Sequence, residues 1–382
     1  MTAPWMTEEH KMYAEGVRGF FQTELSPNIE RWRKAGIVDR DLWRSAGEAG
    51  VLGATIPEEF GGTGAPHSFD AISYLEHSRT GDSGWGLPIQ SIVAHYIMSY
   101  GTDRQKARWL PALASGERVA AIAMTEPGTG SDLQSIKTTA RADGEHYVIN
   151  GSKTFITNGQ LGDLVCVVAR TQREGPGSRS ISLVFVETEE AEGFRRGRNL
   201  EKMGLKSADT SELFFEDVRV PKDNLLGEVE GQGFAQLMTQ LPWERLIIAI
   251  GAVGAMDYVL KETLAYTRER KAFGKRVFDF QNSKFKLAEV KTKLEVTRAF
   301  VDACIVKQDA GQLDAATASM AKYWAAETQI DVANECLQLF GGYGYMMEYP
   351  IAHAYVDARV QSIYGGTTEI MKELIARSLD QD

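Results

Sequence analysis

A change of hydrophobic period at two places constrains this chain more than any single residue does. From Thr7 to about Arg118 apolar residues recur at helical spacing, as in Ala71-Ile72-Ser73-Tyr74-Leu75-Glu76 and Ile92-Val93-Ala94-His95-Tyr96-Ile97-Met98. From about Val119 to Glu228 short β-branched runs take over, among them Tyr147-Val148-Ile149-Asn150, Leu164-Val165-Cys166-Val167-Val168 and Ile181-Ser182-Leu183-Val184-Phe185-Val186. Gly, Asn, Asp and Ser separate these runs, which predicts antiparallel strands. After Gly231 long helical patterns return over Trp243–Arg270 and Ser283–Ala310. Helices, strands and helices in blocks, without strand–helix alternation, exclude a doubly wound nucleotide-binding sheet. The expected class is α+β: an N-terminal helical domain over 1–118, a middle antiparallel barrel or sheet over 119–230, and a C-terminal helical domain over 231–382.

With 382 residues the chain has room for a large core and two or three structural units. Its net charge of -10 disfavours nucleic acid and anionic membranes, while leaving room for a small anionic substrate held by local basic residues. The three cysteines, Cys166, Cys304 and Cys336, are scattered and odd in number, a pattern of neither a disulfide framework nor a zinc site. The sequence shows no signal-peptide pattern and no apolar run long enough to span a bilayer, which predicts a soluble cytoplasmic protein.

Five strings stand out. Met124-Thr125-Glu126-Pro127-Gly128-Thr129-Gly130-Ser131-Asp132 reads either as a Gly-rich turn or as a loop whose amides and hydroxyls approach a planar or phosphorylated ligand. Asn150-Gly151-Ser152-Lys153-Thr154-Phe155-Ile156-Thr157 reads by itself as strand, Asn-Gly turn, strand. Arg268-Glu269-Arg270-Lys271-Ala272-Phe273-Gly274-Lys275, followed by Gln281, is a basic turn between long helices. Gln338-Leu339-Phe340-Gly341-Gly342-Tyr343-Gly344-Tyr345 reads as a helix ended by glycines. Ile363-Tyr364-Gly365-Gly366-Thr367-Thr368-Glu369 is the fifth, with Leu241-Pro242-Trp243-Glu244-Arg245-Leu246 as its counterpart earlier in the chain.

Taken in order, these strings resemble the acyl-CoA dehydrogenase family over nearly the whole chain, and its long-chain branch in particular. The resemblance implies a C-terminal four-helix bundle and FAD as cofactor. It places Met124, Thr125, Gly130, Ser131, Phe155, Ile156 and Thr157 at the flavin, with Thr125 at the pyrimidine edge, Phe155 over the ring and Ser131 at the junction with substrate. It places Arg270, Phe273 and Gln281 at the pyrophosphate of a neighbouring subunit's FAD, which implies a homotetramer, a dimer of dimers. Gln338, Gly341 and Gly342 fall to the adenylate half, and Thr367 and Glu369 complete the cofactor set. Arg245, Tyr364 and Gly366 join Ser131 as substrate contacts, and the helix around Ala94 and Met98 would help to close an acyl pocket.

Many members of that family carry a glutamate base where this chain has Gly365, which has no side chain to take a proton. The long-chain and isovaleryl branches place the base in a Glu-Arg pair on an earlier helix, the position of Glu244-Arg245 here. The expected reaction is removal of an α-proton from an acyl-CoA by Glu244 and of a β-hydride by FAD, with an electron-transfer flavoprotein as acceptor. The Gly365 amide would donate to the thioester oxygen. A short oxidase using dioxygen and a non-catalytic flavin or acyl-CoA binder are the competing classes. Pro242 is expected to open a helix, with Glu244 in its first turn, where the helix dipole favours a carboxylate.

Overall fold

A computed structural model describes residues 3, 5–172 and 176–380. The first zone holds helices α1 (Glu8–Phe20), α2 (Ile29–Ala35), α3 (Arg40–Glu48), α4 (His67–Ser78), α5 (Leu87–Tyr100) and α6 (Asp103–Ala114). Reciprocal capping boxes start α1 (Thr7 with His10) and α6 (Thr102 with Gln105), satisfying amides that a helix start leaves without partners. Pro88 lies in the first turn of α5, where its missing N–H costs nothing.

The middle zone is a seven-stranded sheet of β1 (Ala120–Ala123), β2 (Thr139–Asp143), β3 (His146–Thr157), β4 (Leu164–Arg170), β5 (Ile181–Glu187), β6 (Phe194–Asn199) and β7 (Thr210–Pro221). The order is β1-β4-β2-β3-β7-β6, with β5 also on β4; the sheet is mixed, because β1 runs parallel to β4 while β2–β3, β3–β7, β4–β5 and β6–β7 are antiparallel. Successive side chains of a strand point to opposite faces. In β4 and β5 this alternation divides the core: Leu164, Cys166, Val168, Leu183 and Phe185 pack with the helices, while Val165, Val167, Ala169, Val184 and Val186 fill the second core within the sheet. Trp109 of α6 meets Phe185 at 4.5 Å between ring centroids, so the sheet is docked on the helices by one face.

After the short α7 (Gly177–Ser180), the last zone holds α8 (Gly233–Glu269), the hairpin β8 (Lys271–Ala272) and β9 (Lys275–Arg276), then α9 (Gln281–Asp309), α10 (Ala315–Phe340), α11 (Pro350–Ala358) and α12 (Thr368–Leu379). Helix α10 packs against α8, α9 and α12, and α8 also packs against α9, which makes the bundle.

Two local expectations fail, each for a physical reason. Helix α8 starts ten residues before Trp243 and Pro242 lies inside it, so Glu244 is an interior residue without a helix-terminal dipole. A proline inside a helix costs about 3 kcal/mol; burial of Leu237, Trp243, Leu246 and Ile247 around it outweighs that cost. Asn150-Gly151 is not a turn either, because β3 runs through it with a shift of register against β7 between Ile149 and Gly151. The Asn150 side chain instead bonds Asp217 across that bulge.

Candidate active site

The loop after β1 is held from beneath by a buried ion pair. Lys153 on β3 is 0% exposed, and its Nζ donates to the Met124 carbonyl (3.0 Å), the Val168 carbonyl (2.7 Å) and Glu126 Oε1 (2.9 Å). Glu126 also accepts the Lys137 and Thr138 amides at 2.7 and 2.9 Å. The Thr154 amide donates to the Thr125 carbonyl at 2.9 Å, so the first two strings form one unit. A second register shift, between Lys153 and Ile156, leaves extra residues unpaired against β7. Such bulges re-aim side chains. Phe155 adopts φ 59 there and stands 68% exposed, a strained state for a bulky residue and of a kind that clusters at functional sites. Thr157 is half-buried; Ile156 is buried in the sheet core, so only its backbone can face a ligand. Around Gly128 and Gly130 there is open space, and Ser131 is exposed. An outward phenyl ring beside an open glycine loop suits the face and edge of a planar, partly apolar ring system such as a flavin.

The second part of the site lies between α5 and α8. Tyr96 Oη donates to Glu244 Oε1 at 2.7 Å. Burial pushes the Glu244 carboxyl up to about 7, against the opposing pull of the Tyr96 hydrogen bond and of Arg245 and His95. Desolvation therefore acts before any substrate is present, and it yields a base matched to neutral pH. Arg245, one residue on, points elsewhere: it is 6% exposed within the bundle, with Nη1 at 3.5 Å from Ser319 of α10. The rate of any proton abstraction by Glu244 should rise with pH through about 7, since only the ionised form is a base. Tyr96→Phe removes a hydrogen bond that favours the carboxylate, so it should move that rise to higher pH. Rapid-mixing kinetics across the pH range will show whether the midpoint moves; an unmoved midpoint contradicts the assignment.

The third part is the turn before α12. Gly365 (φ 62) and Gly366 (φ 93) both occupy the left-handed region that side chains disfavour. A Cβ built on Gly365 would lie 2.4 Å from Ile248 Cδ1. Ile248 is one turn beyond Glu244 on the same face of α8, so the Gly365 turn packs beside the base. Among the described residues the Gly365 N–H has no protein acceptor, so it is available to a ligand oxygen. Tyr364 Oη donates to Gln361 Oε1 at 2.7 Å, and the Thr367 side chain caps α12, with Glu369 exposed in its first turn.

The remaining residues gather at one end of the bundle. The Arg270 guanidinium lies 5.6 Å from the Tyr343 ring, joining the basic turn to the glycine turn after α10. Phe273 is 97% exposed at the tip of the β8–β9 hairpin; Gln281, Gln338, Gly341 and Gly342 are exposed as well. Among the described residues no hydrogen bond joins this cluster to the Met124–Thr157 unit. Sequence reasoning missed Tyr96 and the anchoring role of Lys153. No local pattern marks Lys153, because β3 mixes Asn150, Ser152, Thr154 and Thr157 with its apolar residues and the burial of the lysine is set by tertiary packing.

Three family models, for the N-terminal, middle and C-terminal domains of acyl-CoA dehydrogenases, match residues 7–117, 121–218 and 231–379. The mitochondrial long-chain specific acyl-CoA dehydrogenase of Rattus norvegicus is 52% identical over 378 residues, covering 98% of this chain and 87% of that protein. The crystal structure of an acyl-CoA dehydrogenase from Geobacillus kaustophilus matches with a TM-score of 0.97 at 46% identity, over 99% of this chain and 100% of that one. A glutaryl-CoA dehydrogenase from Mycobacterium smegmatis, solved in complex with FADH2, matches with a TM-score of 0.92 at 30% identity, over 100% of this chain and 97% of that one. The chain belongs to the acyl-CoA dehydrogenase family, a family of flavoproteins, and it is an oxidoreductase acting on acyl-CoA thioesters. The reading as a non-catalytic binder falls with that result.

Proposed function

We propose that this protein binds FAD and converts an acyl-CoA to the trans-2-enoyl-CoA, with Glu244 as the base. The observation that carries this reading is a carboxyl held near neutrality on the face of α8 against which the Gly365 turn packs, with the Gly365 amide unclaimed. An α-C–H beside a thioester is a weak acid, so its removal needs both a base and stabilisation of the enolate oxygen. Glu244 removes the α-proton, and the Gly365 N–H donates to the thioester oxygen as negative charge builds on it. FAD, held by Thr125, Ser131, the Phe155–Thr157 backbone and Thr367, would accept the β-hydride. Phe155 excludes water from that contact. Arg245 serves from inside the bundle, through its charge, and Tyr364 and Gly366 shape the turn that meets the thioester.

Arg270, Phe273, Gln281 and Gln338 are proposed to serve the FAD of a neighbouring copy in a homotetramer, since they lie exposed at the bundle end. A guanidinium pairs two phosphate oxygens at once, which suits a pyrophosphate. Arg270→Ala should lose flavin on gel filtration while keeping its fold by circular dichroism; a flavin-retaining monomer would contradict the shared site. An electron-transfer flavoprotein is the proposed acceptor. Among the described residues no helix is long and apolar enough to cross a membrane. A cytoplasmic location is proposed on composition alone, the rat relative being mitochondrial.

The test is anaerobic addition of acyl-CoAs of graded length to the flavin-loaded protein. Bleaching of the flavin absorbance supports the reading, and reoxidation by acceptor flavoprotein rather than by air separates dehydrogenase from oxidase. No bleaching with any chain length would overturn it.

A further inference from the structure

Lys322 sits in the middle of α10, 0% exposed. A buried lysine ordinarily has a carboxylate partner. Among the described residues Lys322 has none within ion-pair reach; its one hydrogen bond is from Nζ to the Gly366 carbonyl, at 2.7 Å. The charged groups facing it are Arg245 from α8, Glu327 from α10 itself and Glu369 from α12. Glu327 is engaged by the Thr368 hydroxyl at 2.7 Å, which ties the start of α12 to the same helix. The ammonium therefore grips the peptide after two consecutive left-handed glycines, the least constrained backbone in the site. An apolar side chain of similar length would fill the space without the cost of a buried charge.

We propose that Lys322 is a positioning residue: it clamps the Gly365–Gly366 turn to the bundle and so aims the Gly365 amide at the thioester oxygen. This rests on the proposed function of that turn. A second effect follows from its charge. Lys322 and Arg245 are both buried, and two cations in a poorly screened interior stabilise negative charge developing beside the turn. Burial, and then Arg245, pull the lysine down to about 8. The ammonium form is thus lost as pH rises through that value, and with it the charge-assisted hydrogen bond.

The test compares flavin-loaded wild type with Lys322→Met. At saturating acyl-CoA the rate of flavin reduction should fall about 10- to 100-fold, the range expected when an oxyanion donor is misplaced rather than removed. The dissociation constant of acyl-CoA should stay within about twofold, because ground-state contacts to the CoA moiety are untouched. A second readout needs no hydride transfer. An acyl-CoA analogue with sulfur in place of the β-carbon can lose only its α-proton, and its exchange with D2O should slow in parallel. Wild type should also lose activity above about pH 8, a limb absent from the variant. A variant that exchanges and reduces at wild-type rates overturns the proposal. Should that variant fail to fold, Lys322→Leu, which likewise removes the donor to the Gly366 carbonyl, is read by the same two measurements, and wild-type exchange and reduction rates in it overturn the proposal. Failure of wild type itself to bleach with any acyl-CoA would instead strike the proposed function.

Discussion

Glu244→Gln should bind acyl-CoA normally and reduce its flavin about 10²–10⁴-fold more slowly, the usual cost of removing a positioned general base. Glutamine keeps the shape and can still accept the Tyr96 hydrogen bond, now at 2.7 Å to Oε1, but it cannot take a proton. Because the carboxyl is half-buried and desolvation raises it to about 7, a water molecule in its place should not recover the rate. Moving the carboxylate to Gly365 will not simply rescue it. A Cβ there meets Ile248 Cδ1 at 2.4 Å, in a backbone conformation that L-residues rarely adopt. Ile248 Cδ1 is the movable end of a side chain, so the left-handed backbone is the main cost, and Gly365→Glu should restore only part of the rate lost in Glu244→Gln. The single change at Gly365 should lower activity even with Glu244 in place.

Lys153→Met should destabilise the protein by about 3–5 kcal/mol, the range seen when one partner of a buried pair is removed. The loss has three parts: an unpaired Glu126 carboxylate 7% exposed, and the orphaned carbonyls of Met124 and Val168. Since those groups set the position of Met124 and Thr125, flavin should dissociate before the chain unfolds on heating. Adding Glu126→Gln to Lys153→Met should recover part of the stability, because it removes the uncompensated charge. Thermal unfolding with and without added flavin measures both effects. Equal melting of wild type and Lys153→Met would show that the pair contributes nothing net.

The block order of helices and strands was legible because period is a local property, visible in any window of the chain. The pairing of Gly365 with Glu244 was legible only through resemblance, since one absent side chain and one ordinary glutamate, separated by more than a hundred residues, announce nothing physically. What escaped was set by tertiary contact. Pro242 reads as a helix start, yet α8 continues through it because packing on both sides outweighs one lost hydrogen bond. Asn150-Gly151 reads as a turn, yet strand pairing with β7 draws it into a bulge. Tyr96 lies 148 residues from the carboxylate it touches, and no pattern in α5 distinguishes it from the other aromatic and aliphatic residues that build the core. The parallel β1–β4 pairing was likewise unreadable, because direction in a sheet follows from connections rather than from composition.

The central claim, that the proton is taken by Glu244 rather than by any group at the Gly365 turn, is tested most directly by proton exchange. Flavin-loaded wild type and Glu244→Gln would each be mixed with the β-sulfur acyl-CoA analogue in D2O, and deuterium at the α-carbon followed by mass spectrometry. Wild type should exchange with a rate that rises through about pH 7, and the glutamine variant should bind the analogue without measurable exchange. Exchange by the variant at the wild-type rate would contradict the assignment and place the base elsewhere.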